Sequence, residues 1–276
     1  YPDRLGQIPE APPLLFVQGQ LTRDDDLAVA MVGTRKATPY GLQAARRLAH
    51  DLARRGFTIV SGLALGIDGE AHEGALEAGG RSIAVMATGA DLTYPSEHRG
   101  LRARLAESGA VLTESPFGAG PTRYAFPTRN RIIAGLCLGV IVVEAPVQSG
   151  ALITAQHAAD QGREVFALPG SIDSPNSGGS HLLIKEGAHL VEVAEDVVEG
   201  LGIMLTTVPT RPDRARPELS GEEQRVYDAL SPQPQRVDQL TESTGLDPAH
   251  LNATLMLLEI KGLARRFAGG TYCRIQ

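Results

Sequence analysis

Along the chain, short runs rich in Val, Ile and Ala alternate with longer stretches whose apolar positions recur every three or four residues. The runs at 27–32, 57–60, 82–87, 110–113, 139–143 and 165–168 predict strands buried on both faces. The stretches at 40–55, 67–78, 97–107, 131–136 and 152–161 predict the helices between them. Such alternation builds right-handed βαβ crossovers, so the expected fold is α/β, a Rossmann-like, doubly wound, mostly parallel sheet. Ligands of these sheets lodge outside the carboxyl ends of the strands, which makes the turns after each run the places to look for chemistry.

Pro2, Pro9, Pro12 and Pro13 mark an extended lead-in around Leu14-Leu15-Phe16-Val17 that can add one edge strand. Residues 206–219, with Pro209, Pro212 and Pro217 among scattered charges, read as a linker. Beyond it, helical patterns at 222–230, 237–244 and 248–261 precede two short apolar runs joined by Gly269-Gly270, the pattern of a winged helix. The expected domains are therefore 1–205, a Rossmann-like domain with its lead-in, and 220–276, a winged-helix domain.

A chain of 276 residues has the length of about two domains and ample core. The longest uncharged apolar run, 132–143, is too short to span a bilayer, and the chain opens on Tyr1-Pro2 with no leader pattern. It reads as part of a cytoplasmic protein with sequence missing upstream. Cys137 and Cys273 sit apart in apolar contexts and read as core fillers. Net charge is −6, and residues 206–276 carry nine charges of each sign, so the whole excess of acid lies in residues 1–205. Within that acidic part, no acid falls between Glu114 and Glu144, a window holding Arg123, Arg129 and Arg131. A focused cationic patch suits a specific anion contact better than diffuse adhesion to a polyanion.

The first strand leads into Val32-Gly33-Thr34-Arg35, where Arg35 replaces the second glycine of a dinucleotide fingerprint and Ser61 closes the second strand in place of an acid. A phosphate-binding turn or a plain βα turn with a solvated Arg are both open. After the second strand, Ser61-Gly62 lets backbone approach a ligand, and Asp68 and His72 share one helix face. That pair reads either as acid and base, or as a helix-start Asp with a packed His; the second reading is favoured, because no third metal ligand or nucleophile accompanies it. The segment Arg123-Tyr124-Ala125-Phe126-Pro127-Thr128-Arg129-Asn130-Arg131 interleaves cations with aromatics, as single-stranded nucleic acid requires. Its alternative is a set of internal struts, with Arg129 and Arg131 pairing Glu114 or Glu144 while Phe126 fills core. Ser149-Gly150 can cradle a further anion, and Lys185 follows a Gly-rich loop near the expected crevice.

Taken together, Val32-Gly33-Thr34-Arg35, Ser61-Gly62-Leu63-Ala64-Leu65-Gly66-Ile67-Asp68, Tyr94-Pro95, Phe126-Pro127-Thr128-Arg129-Asn130-Arg131, Ser149-Gly150, Pro169-Gly170 and Leu183-Ile184-Lys185-Glu186-Gly187 resemble the DNA-processing protein A (DprA/Smf) family in order and spacing. The resemblance implies a non-enzymatic, cofactor-free binder of single-stranded DNA that acts in natural transformation. Such a protein protects incoming strands, displaces single-strand-binding protein and loads RecA recombinase, as a homodimer. Carried over by position, the pocket comprises Gly33, Thr34, Arg35, Ser61, Gly62, Arg123, Phe126, Arg129, Asn130, Arg131 and Lys185, with Phe126 stacking a base. His181 stands where the family usually has Asn. The same superfamily holds phosphoribohydrolases and nucleotide sensors, but Pro169-Gly170-Ser171-Ile172-Asp173 lacks the hydrolases' glutamate.

Overall fold

The computed structural model describes residues 1–203, 219–231, 233–267 and 269–274, which form two compact units. The linker expected over 206–219 falls, apart from Leu219, outside the described residues. In the first unit the elements run α1 (Asp3–Gly6), β1 (Phe16–Gly19), β2 (Ala28–Val32), α2 (Pro39–Arg54), β3 (Thr58–Ser61), α3 (Ile67–Glu77), β4 (Ser82–Val85), α4 (Arg99–Ser108) and β5 (Ala110–Thr113). There follow α5 (Ala125–Leu136), β6 (Gly139–Val142), α6 (Gly150–Asp160), β7 (Glu164–Ala167), α7 (Gly178–Lys185), β8 (His189–Leu190) and α8 (Ala194–Gly200).

The eight strands form one sheet in the order β1-β5-β4-β3-β2-β6-β7-β8, parallel throughout except for β1, which lies antiparallel on β5. The proline-rich lead-in thus supplies the edge strand. Successive residues of a strand face opposite sides of the sheet. Along β2, accordingly, Ala28, Ala30 and Val32 join the core under α1, α5 and α6, whereas Val29 and Met31 join the core under α2, α3 and α8. Both faces are covered, which is why every residue of β2, β3, β4, β5 and β6 is buried and the runs carry no polar alternation. Cys137 is a buried free thiol in the first core, and burial pushes its pKa up.

Several features depart from the sequence reading: α1 puts a helical turn inside the lead-in that reads as extended, and α7 begins within the Gly-rich loop before Lys185. Helix α5 starts at Ala125, six residues before the periodic stretch, because its first turns carry the arginines and aromatics of the functional segment instead of a regular apolar stripe. Strand β8 is two exposed residues long and α8 seven residues, both too short to give a periodicity signal.

The second unit packs α9 (Gly221–Ala229), β9 (Gln235–Arg236), α10 (Val237–Thr244), α11 (Pro248–Ile260), β10 (Ala264–Phe267) and β11 (Thr271–Arg274) round a core of Val226, Leu240, Leu251, Leu255 and Leu258. The three strands order as β10-β11-β9, giving a winged helix. Gly245 ends α10 at φ 68°, a left-handed cap that a side chain would strain. Buried Glu223 caps α9 through Ser220 and holds Lys261 at 2.7 Å, tying α9 to the end of α11.

Helices α2 and α3 pack backbone to backbone at Gly74, where an added Cβ would stand 2.2 Å from the Arg46 carbonyl oxygen. Gly74→Ala is expected to destabilise the first unit by about 1–3 kcal/mol, since overpacking against backbone forces the helices apart. Gly100→Ala in α4, where nothing lies within 4 Å, is expected to be neutral or stabilising by up to about 1 kcal/mol. Urea denaturation of the two variants checks the contrast.

Candidate functional site

The strand order reverses at β2: β3, β4 and β5 lie to one side of it and β6, β7 and β8 to the other. Crossovers leaving neighbouring strands in opposite directions open a crevice at such a point. A cleft of about 380 Å³ occupies it, walled by the turn after β2, the first turns of α5 and the start of α6.

The turn after β2 must hug the sheet. A Cβ on Gly33 would stand 2.5 Å from the Ile67 side chain, and the Thr34 N–H donates to the Glu144 carbonyl at 2.7 Å. At the start of α2 the amides of Thr38 and Gly41 are already occupied, the second by the Thr38 hydroxyl at 3.1 Å. The buried Glu144 carboxylate accepts from the Thr38 N–H at 2.9 Å and from its hydroxyl, and so compensates the positive end of that helix. What the turn offers a ligand is therefore its side chains. Arg35 and Lys36 are both exposed on the cleft, and the Arg35 guanidinium lies 4.8 Å from the centroid of the half-buried Phe126 ring. That is a cation–π contact that leaves the charge in solvent.

Beneath this rim sits a buried polar clamp. Asp68, at the start of α3, accepts from the N–H groups of Gly62 (3.1 Å) and Ala64 (3.3 Å). Arg129 donates to the carbonyls of Gly62 (2.8 Å) and Val85, and its Nε to Asn130 Oδ1 at 3.2 Å. Both polar groups of the Gly62 backbone are thus held by opposite charges. A side chain at Gly62 would collide with the guanidinium, 2.5 Å from its would-be Cβ. Burial pushes the Asp68 carboxyl up, against the pull of Arg129, and pushes Arg129 down to about 10, so the arginine stays charged at neutral pH. His98 Nδ1 meets the Leu63 carbonyl at 2.9 Å, and Leu63 sits at φ 57°. The 62–66 turn is consequently fixed at several points.

Behind α3, His72 Nδ1 lies 2.7 Å from Ser82 Oγ, whose proton goes to the Ile59 carbonyl. His72 must then donate through Nδ1, which leaves its buried Nε2 bare. Burial holds its pKa down to about 3, with His98 and Arg129 adding. Asp68 is a first-turn acid of α3 whose carboxyl holds the turn preceding the helix, and His72 is a packed neutral ring, in line with the reading favoured from sequence.

Of the eleven sequence-derived site residues, Gly33, Thr34, Arg35, Phe126, Arg129 and Asn130 line the cleft. Asn130 is spent on bridging α5 to the Gly150 carbonyl at 3.2 Å, and Arg129 on the clamp. Ser61 and Gly62 were expected to meet the ligand. Instead the buried Ser61 hydroxyl donates to the Met31 carbonyl at 2.6 Å, and the Gly62 backbone is closed off as described. Arg131 points away from the cleft and forks onto Glu114 at 2.7 and 2.6 Å, the internal strut that was its alternative reading. Arg123 and Lys185 are exposed but lie outside the cleft lining, one in the loop before α5 and the other at the end of α7. His181 Nε2 stands 3.3 and 3.1 Å from the N and O atoms of Gly170, so the family's usual Asn is replaced by a group that still reaches that loop. Sequence reasoning missed Lys36, although it adjoins Arg35, and Tyr94, whose ring touches Phe126 at 5.7 Å between centroids.

Comparison with known proteins gives concordant matches for both units. Residues 1–202 match the family model described as DNA recombination-mediator protein A, and residues 210–270 match the DprA winged helix domain. Protein Smf of Escherichia coli K12 is 41% identical, covering 100% of this chain and 75% of its own. DNA processing protein DprA of Streptococcus pneumoniae is 46% identical over 198 residues, covering 72% of this chain and 70% of its own. An X-ray structure of the Streptococcus pneumoniae protein superposes with a TM-score of 0.70 at 45% identity, over 72% of this chain and 70% of that one. The DNA processing protein A of Helicobacter pylori, whose structure is described as revealing its single-stranded DNA binding mode, superposes with a TM-score of 0.66 at 31% identity, over 73% of this chain and 92% of that one. Among the described residues, no helix is long and apolar enough to cross a membrane.

Two measurements test the clamp and the buried histidine behind it. Arg129→Met strands Asp68 and two strand-end carbonyls in the interior, and is expected to cost about 3–5 kcal/mol in urea denaturation. Because the pKa of His72 falls from 6.5 to about 3 on folding, the folded state binds fewer protons in that window. Its contribution to stability is full above about pH 6.5 and declines as pH falls through the window, by up to about 1.4 kcal/mol per pH unit. His72→Asn, which keeps a donor for Ser82, is expected to flatten the stability profile between pH 6.5 and 4 relative to the parent chain.

Proposed function

Because this chain belongs to the DNA recombination-mediator protein A (DprA) family, we propose that its cleft binds single-stranded DNA and holds it without breaking any bond. The observation that carries the reading is the exposed pair Arg35 and Lys36 set beside the Phe126 ring at the switch point of the sheet. Guanidinium and ammonium groups neutralise phosphates, and an aromatic face takes a base without reading its identity. The acids nearby do not oppose this. Asp68 is offset by Arg129 and Glu114 by Arg131, and Glu144 is spent on α2. The Helicobacter pylori relative, described as a single-strand binder, supports the same assignment.

The reading extends to the family's wider role. The bound strand is protected during natural transformation, single-strand-binding protein is displaced, and RecA recombinase is loaded by a homodimer in the cytoplasm. Arg123 and Lys185, exposed outside the cleft, are proposed to reach phosphates beyond the nucleotides lodged in it. The described residues of the cleft give the scaffold for holding a strand, and no catalytic residue is proposed.

Equilibrium binding of a labelled single strand and of the matching duplex across a salt series tests this. Arg35→Ala and Lys36→Ala are each expected to weaken single-strand binding and to reduce the salt slope by about 0.7, one phosphate contact's share. Phe126→Ala is expected to cost about 1–3 kcal/mol with the slope unchanged. Equal affinity for duplex and single strand, or release of free base from a nucleoside monophosphate, would overturn the assignment.

A further inference from the structure

Beside Phe126 stands a second aromatic ring that the family motifs leave without a role. Tyr94 lies on the loop that follows β4 at the carboxyl rim of the sheet, and it is 43% exposed, too much for a core residue. Its ring meets Phe126 at 5.7 Å between centroids with a 50° tilt. The loop leading to it is fixed at Ala90, Asp91 and Thr93. Arg102 donates to Thr93 Oγ1 at 3.1 Å, to the Ala90 carbonyl and to Gln18 Oε1 at 2.8 Å. Asp91 accepts from the Gly118 N–H at 2.9 and 3.0 Å. Tyr94 is therefore a preorganised platform, and its ordering cost is met in the free protein.

We propose that Tyr94 is a second base-stacking residue, which with Phe126 forms a two-ring shelf for consecutive bases of one strand. This rests on the single-strand reading of the cleft and adds a geometric requirement to it. Bases stacked on each other in a duplex rise by about 3.4 Å. Rings 5.7 Å apart and tilted by 50° cannot both stay in contact with such a pair, so the two bases must be splayed from one another. Only an unpaired strand can splay them, and it does so most readily where its own stacking is weak. The Arg35 guanidinium, over the Phe126 ring, is placed to meet the phosphate that enters the shelf. The shelf thus selects single strands by backbone flexibility and prefers pyrimidine over purine runs.

The test uses the full chain with oligothymidylate carrying one 2-aminopurine, read by fluorescence and by anisotropy. Tyr94→Ala and Tyr94→Leu are expected to weaken binding by about 5- to 150-fold and to relieve part of the 2-aminopurine quenching, with the salt slope unchanged. Tyr94→Phe is expected to match the parent chain, since stacking needs the ring and not the hydroxyl. Melting temperatures near the parent value for Tyr94→Leu separate a lost platform from a lost fold. Unchanged affinity for both Tyr94→Ala and Tyr94→Leu, with Phe126→Ala impaired, overturns the shelf and leaves the cleft assignment standing. No binding of single strands by the parent chain overturns both. Equal affinity for oligothymidylate and oligodeoxyadenylate overturns the splaying requirement.

Discussion

The geometry of the cleft depends on one peptide unit held between two buried charges. The Gly62 N–H is taken by Asp68 and its carbonyl by Arg129. Burying a carboxylate and a guanidinium is costly unless their hydrogen-bonding capacity is filled, and the ends of two strands and a tight turn fill it. Only glycine fits, because any Cβ would enter the guanidinium. The same arginine fixes α5 against β3 and β4, and so sets where Phe126, one turn earlier on that helix, meets the rim. A clamp at the floor of the cleft, its hydrogen-bonding capacity spent on the backbone, thereby decides where the ring at the rim stands.

This division of labour explains how an acidic chain can present a cationic cleft. Its net charge of −6 is a property of the whole molecule, whereas a strand in the cleft feels mostly charges within about a Debye length, near 8–10 Å. Three acids of this region are matched internally: Asp68 by Arg129, Glu114 by Arg131, and Glu144 by the hydroxyl and amide at the start of α2. Arg35 and Lys36 are left to set the local potential. The distant acids then limit indiscriminate adhesion to polyanions without weakening the contact at the rim.

The fold was legible because doubly buried strands must be mainly apolar on both faces, and β2 to β6 are so apart from a Ser or Thr at the ends of β3, β4 and β5. The carboxyl rim of the sheet followed from the alternation, and with it the turn carrying Gly33, Thr34 and Arg35, whereas the strand order that puts the switch point at β2 emerges only in the folded chain. What the sequence could not disclose was the direction of side chains within the functional segment. Arg129 and Arg131 are two residues apart on α5, so they project about 200° apart round the helix, one to the clamp and the other to Glu114. Neither orientation can be read from a window whose acids lie outside it. Ser61 was misplaced for the same reason: its partner, Met31 on the neighbouring strand, is 30 positions away. Tyr94 entered only as part of a family motif and was given no place in the pocket, because a single Tyr before a Pro carries no periodic signal and only the folded chain brings it against Phe126.

The winged helix follows a different logic from the cleft. In helix-turn-helix modules the recognition helix reads a groove with polar and basic side chains. On α11 the exposed positions Ala253, Met256, Leu257 and Ile260 fall at the spacing of one apolar stripe, and Ile260 is 73% exposed. Lys261, at its end, is drawn back to the buried Glu223. Such a face gains little from phosphates and loses more by staying in water, so groove reading by α11 is disfavoured on both counts. The contact proposed for the rim of the parallel sheet, where charge and aromatic surface occur together, thus has no counterpart on α11, a helix that resembles a reader in its topology and not in its chemistry.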